Sequence, residues 1–148
     1  MRRLQKYRAL TPAGRAIVLR SLLLLPMVAM LVRARGMALT TAWLGRLGRR
    51  AERDPGALAP REIARLVNAA ASILGARCLP RSLVLCHLLR NRGIPAEIRL
   101  GVSKLADGNL SAHAWVELDG LPLNDGPDVF ERYAALPSSA AKFRVDHP

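Results

Sequence analysis

The chain has 148 residues, half of them apolar and 23% charged, a globular composition of single-domain size that excludes a disordered polymer. Its net charge of +12 is unevenly placed: residues 1–53 hold 12 Lys/Arg against one acid, Glu52, whereas residues 54–148 hold 11 basic and 10 acidic residues. With two Trp, two Tyr and two Phe there is little to stack on bases, so no nucleic-acid partner is expected.

The most apolar run is residues 16–32, AIVLRSLLLLPMVAMLV. Arg20 interrupts it and Pro26 stands in its middle, leaving the uncharged stretch 21–32, 12 residues long. A bilayer span needs about 20, so no transmembrane span is read. A basic start with a short apolar core also matches a signal peptide, but RARG follows with no small-x-small cleavage site. The favoured reading is a helix packed on the rest of the domain or on a partner; peripheral contact with a membrane surface is the alternative. Residues 45–60, GRLGRRAERDPGALAP, combine Gly, Pro and charge and read as a linker. The chain thus divides into a basic, apolar helical segment, 1–55, and a second unit, 56–148.

From Pro60, the residues Ile63, Leu66, Val67, Ala70, Ile73 and Leu74 share one helical face and Gly75 closes the helix. A second helix begins at Leu79–Pro80, where a proline is tolerated because first-turn amides have no intrahelical acceptor; Leu83, Val84, Leu88 and Leu89 form its apolar face and Gly93 its stop. The period then becomes two. Ile98, Leu100 and Val102 alternate with Arg99, Gly101 and Ser103, DGN at 107–109 turns the chain, and alternation resumes from Ala112 to Leu118. DG at 119–120 signals a two-residue hairpin, and VFERYAAL, 129–136, a short helix. Helices followed by an antiparallel meander predict an α+β fold.

Both cysteines lie in this unit. On a helix, the eight residues between Cys78 and Cys86 separate their Cα atoms by about 12 Å, beyond the roughly 7 Å that a disulfide bridges. Without CxxC or HxxxH spacing no metal is expected, and a reducing, cytoplasmic setting fits. No GxxxxGK[ST] phosphate loop is present, so no nucleotide and no other cofactor is predicted. Cys78 sits at or beside a helix N-cap, where unpaired amides and the positive end of the dipole favour a thiolate; a small buried apolar cysteine is the plainer reading. Cys86, mid-helix, reads as structural.

Of the three histidines, His87 is mid-helix and cannot curl back to Cys78, and His147 lies in the C-terminal tail. His113 opens the strand HAWVEL, on the face opposite Ala114, Val116 and Leu118, a face that either covers a site or meets solvent. A Cys–His pair needs a third group to orient the imidazole. With 119–120 as the turn, residue 114 faces 125 and residue 113 faces 126. Regular alternation points Asp125 away from His113 and leaves Asn124 on its face, unless an irregularity near NDGPD redirects the chain.

The stretches CLPRSLVLCHLLRNRGIPAEIRLGV (78–102) and SAHAWVELDGLPLND (111–125) make the chain resemble the transglutaminase-like cysteine peptidases of lasso-peptide biosynthesis, the B proteins that remove the leader from a precursor peptide. The resemblance covers residues 60–130 and, more loosely, the apolar helix. It implies a transglutaminase-like or papain-like core, Cys78 as nucleophile, His113 as base and Asp125, rather than Asn124, as the third member. Arg81 and Ser82 match motif positions after the nucleophile; a capping or packing role is their plainer reading. Some members carry a fused winged-helix leader-binding domain, for which residues 1–55 have no room. The resemblance therefore implies a stand-alone peptidase, partnered by a separate leader-recognition protein and a separate ATP-dependent lasso cyclase. The basic segment 1–53 docks a partner or the leader, or is a solvated face. The rival readings are another acyl transfer by the same residues, amidation or crosslinking, and a non-enzymatic basic binding protein.

Overall fold

The computed structural model describes residues 10–47 and 58–137. Helices α1 (Pro12–Leu47), α2 (Pro60–Leu74) and α3 (Cys78–Arg90) precede strands β1 (Glu97–Lys104), β2 (Leu110–Leu118) and β3 (Leu121–Pro122), then a single-turn helix α4 (Val129–Arg132) and β4 (Ala134–Ala135). The strands form one curled antiparallel sheet in the order β3-β2-β1-β4, the α+β plan read from the sequence. Of the predicted linker, residues 48–57 lie outside the described residues, as does His147.

The N-terminal helix is longer than the 12-residue count implied. It continues through Arg20 and Pro26 for 36 residues, broken only at Gly36, whose φ of 77° and ψ of 176° are open to glycine and strained for other residues. By length and composition it is long and apolar enough to cross a membrane, which corrects the count made from uncharged residues alone. One line of its side chains, Ile17, Ser21, Leu25 and Val28, is buried, and Ser21 Oγ is satisfied by the Ile17 carbonyl at 2.8 Å. Ile17, Leu25, Val28 and Leu44 belong to the same core cluster as Ile63 and Val67 of α2, Leu83, Val84 and Leu88 of α3, and Val116 of β2. The N-terminal helix and the segment after residue 56 therefore share one core.

Helix α3 is the centre of that core. Periodicity marked one apolar face, yet Leu83, Val84, Leu85, Cys86, Leu88 and Leu89 are all buried, because α1 and α2 pack on some sides of α3 and the sheet on another. A helix buried on most sides needs satisfied ends. Its C-terminus closes with Gly93 N–H donating to the Arg90 carbonyl and Ile94 N–H to that of Leu89, a left-handed Gly93 between them. Its N-terminus has no side-chain cap.

The α1–α3 contact carries a half-buried titratable group. His87 accepts a hydrogen bond at Nε2 from Asn91 Nδ2 (3.1 Å) and bonds the backbone of Leu44. Burial lowers the His87 imidazole below its usual value of 6.5; the Leu44 bond opposes this, and the Arg20 charge adds to it. The unfolded chain thus takes up this proton first, so stability present above pH 6.5 falls as pH drops toward the lowered folded value. Thermal melts of the wild type and His87→Gln at pH about 7.5 and about 5 should show a smaller acid-induced loss in the variant.

Candidate active site

Strand β1 pairs with β2 along the whole length of β1, Gly101 opposite His113 and Arg99 opposite Trp115. Its even-numbered residues Ala114 and Val116 are buried, Val116 in the core shared with the helices, while His113, Trp115 and Glu117 occupy the other face. That face is largely covered. Trp115 is fully buried, its indole N–H donating to Glu117 Oε1 (2.8 Å), and Arg99 Nε holds the other oxygen of the same carboxylate at 2.9 Å. Phe130 meets the Trp115 ring edge-on at 6.3 Å.

The hairpin register is the predicted one, with Leu118 opposite Leu121 and Glu117 opposite Pro122. The irregularity comes directly afterwards. The Leu123 amide still donates to the Val116 carbonyl at 2.9 Å, but the Val116 amide is taken by the side-chain Oδ1 of Asn124 at 2.8 Å. A side chain thus replaces the next backbone rung, and the chain is free to turn away from the sheet. Asn124 Nδ2 donates to Ser82 Oγ (3.0 Å), Ser82 Oγ donates to the Ala114 carbonyl (3.0 Å), and Asn68 Nδ2 donates to the Asn124 carbonyl (3.3 Å). Asn124 therefore ties α2, α3 and β2 together and is no partner of His113, against the face assignment from simple alternation.

Asp125, one residue on, is that partner. Its Oδ2 is hydrogen-bonded to His113 Nε2, while Oδ1 accepts from the Gly126 amide (2.9 Å) and from Arg132 Nη2 (3.1 Å). Partial burial pushes the Asp125 carboxyl up, but the His113 and Gly126 hydrogen bonds and the nearby His113 and Arg132 charges together hold it below the ordinary carboxylate range. A carboxylate so fixed sets the imidazole orientation and leaves Nδ1 as the nitrogen for a reacting proton.

A lid of residues that no spacing signalled covers the imidazole. Tyr133 stacks on His113 with centroids 4.7 Å apart and planes 25° from parallel, and the Arg132 guanidinium lies 5.5 Å over the tyrosine ring. The expected helix over 129–136 stops at Arg132 because Tyr133 turns extended (φ −130°, ψ 125°) and Ala134 and Ala135 pair with Val102 and Gly101. Gly101 makes this approach feasible: a Cβ there would stand 2.8 Å from the Trp115 ring and 2.9 Å from Tyr133 Cβ.

Cys78 is the first residue of α3, half-buried and free of disulfide. Ser82, one turn later on the same face and about 6 Å along the axis, bonds the carbonyl of Ala114, the neighbour of His113. Helix α3 is thereby tied, one turn after Cys78, to the strand that carries His113, and no hydrogen bond joins Cys78 to His113. First-turn amides lack intrahelical acceptors, and with Pro80 contributing none, those of Cys78 and Leu79 remain to receive negative charge. Ser82 has a tying role, while Arg81 Nε is buried with no partner among the described residues. Cys86 donates to the Ala96 carbonyl at 3.4 Å, and burial pushes its thiol up to about 11, well away from thiolate chemistry. Among the described residues no cluster of metal-ligating side chains occurs.

These features define an α+β protein in which a buried helix opens on a cysteine against an antiparallel sheet bearing a His–Asp pair. The family model described as Transglutaminase-like superfamily matches residues 22–138, and the chain belongs to that superfamily, which includes cysteine-dependent enzymes. The match starts inside α1 and passes β4, so it takes in most of the N-terminal helix as well as the site. No match was found among the curated proteins or among the solved structures.

Asn124→Ala removes a buried side chain that satisfies two partners, the Val116 amide and the Ser82 hydroxyl, and should cost on the order of 2–4 kcal/mol, read from denaturant midpoints. Gly101→Ala should cost roughly 1–3 kcal/mol by overpacking and displace Tyr133 from the imidazole, visible as a shift of the His113 ring signals in NMR.

Proposed function

We propose that this chain is a cysteine peptidase that removes the leader from a lasso-peptide precursor, with Cys78 as nucleophile, His113 as general base and acid, and Asp125 as the group that orients the imidazole. The observation that supports the chemistry is the His113–Asp125 hydrogen bond on a strand that Ser82 ties to the helix Cys78 opens. The choice of substrate rests on the resemblance of residues 78–102 and 111–125 to the lasso leader peptidases.

In this reading His113 Nδ1 takes the Cys78 proton and the sulfur attacks the carbonyl at the leader–core junction. The oxyanion is received by the amides that begin α3. The C–N bond breaks as His113 returns the proton to the leaving amine of the core, and the leader stays as a thioester. Water, deprotonated by His113, attacks that thioester; the leader leaves as a carboxylic acid and the proton restores the thiol. A separate recognition protein delivers the leader, and a separate ATP-dependent cyclase consumes the freed core amine.

The test is mass spectrometry of a lasso precursor incubated with its recognition protein and the wild type, Cys78→Ala or Asp125→Asn. The wild type should release leader with a free carboxylate; Cys78→Ala should release none, and Asp125→Asn should be slower by about 10²–10⁴-fold. Equal cleavage by Cys78→Ala removes Cys78 from the mechanism. Transfer of the leader acyl group to an added amine, seen as an adduct mass, replaces hydrolysis by the amidation reading.

A further inference from the structure

Helix α1 has a second face that the core does not use. Leu19, Leu23 and Met30 are 55%, 64% and 64% exposed, and with exposed Ala16 and Pro26 they recur every three or four residues, so they form one stripe. The stripe lies opposite the buried line Ile17, Leu25 and Val28. Exposed Arg20 flanks it near its start, and exposed Arg33 closes it one turn after Met30. From Pro12 to Leu47 there are five arginines and no acidic residue.

We propose that this face is a peripheral membrane-binding surface, with α1 lying flat at the interface of an anionic bilayer. The face belongs to a single helix, and its exposed Leu and Met side chains offer no aromatic anchor of the kind that concentrates energy in protein interfaces. A fluid acyl layer needs none. Arginines beside such a stripe reach the phosphates while their stems cover apolar surface, and the basic excess of residues 1–53 adds attraction to anionic headgroups. Lying flat rather than crossing follows from the packing: a crossing helix would strip Ile17, Leu25 and Val28 from α2 and α3 and place Arg20 in hydrocarbon. This surface is independent of the proposed peptidase chemistry.

Flotation of the full chain with phosphatidylcholine vesicles, with and without phosphatidylglycerol, tests it, since protein aggregates do not float. The wild type should float with the anionic vesicles, less at high salt, and little with phosphatidylcholine alone. Arg20→Gln with Arg33→Gln should weaken binding on the order of tenfold. Leu23→Glu with Met30→Glu should abolish flotation while circular dichroism and melting stay at wild-type values, both residues being on the surface. The proposal is overturned if the folded wild type does not float with anionic vesicles, or if the Leu23/Met30 variant floats as well as the wild type. It is equally overturned if that variant instead loses a self-association or recognition-protein complex seen without lipid, which would make the stripe a protein interface.

Discussion

Where β3 leaves the sheet, the Asn124 side chain stands in for a strand: its oxygen takes the Val116 amide, and its nitrogen reaches the hydroxyl of Ser82 on α3. Ending a strand beside a buried amide would ordinarily leave that amide unpaired, at a cost of about 1–3 kcal/mol. Asn124 removes the cost and frees the next residue from the alternation of the ladder. Asp125 can then turn to the imidazole of His113 instead of facing the helices. The same amide locks α3 to β2 through Ser82, so one side chain both ties the helix to the strand and frees the carboxylate to turn.

Around this knot the two faces of β2 do different work. The helix-facing side is packed through Ala114 and Val116 against α3, itself enclosed by α1 and α2. The other side is sealed by Trp115 with its Glu117 and Arg99 partners and by Phe130 and Tyr133. An imidazole stacked under Tyr133, with an Arg132-buttressed carboxylate at Nε2, is held in one orientation without immobilising Nδ1. Such preorganisation is what a membership in a superfamily with cysteine-dependent enzymes leads one to look for.

Much of the scaffold was legible because it repeats. Helices α2 and α3 declared themselves by period and by Gly75 and Gly93, the β1–β2–β3 meander by alternation and the DG turn, and the hairpin register followed by counting. Three features were not legible. The extent of α1 escaped a count that let Arg20 end an apolar run, since a long helix tolerates a charge on its exposed face. The break in alternation at Asn124 escaped because the side-chain substitution depends on Ser82, 42 residues away. Arg132, Tyr133 and Gly101 carry no local signal, because their role is defined only by what lies opposite them.

The sequence by itself determined the α+β plan, the incompatibility of Cys78 and Cys86 with a disulfide, and the placing of Cys78 at a helix start, since each depends on residues near in the chain and on fixed helix or strand geometry. Only the tertiary structure decided that Asp125 and not Asn124 meets His113, that Tyr133 covers the imidazole, and that the N-terminal helix has one buried and one bare apolar face. Those outcomes depend on which distant groups satisfy one another's hydrogen bonds and which side chains exclude one another's volume. Periodicity carries neither kind of information.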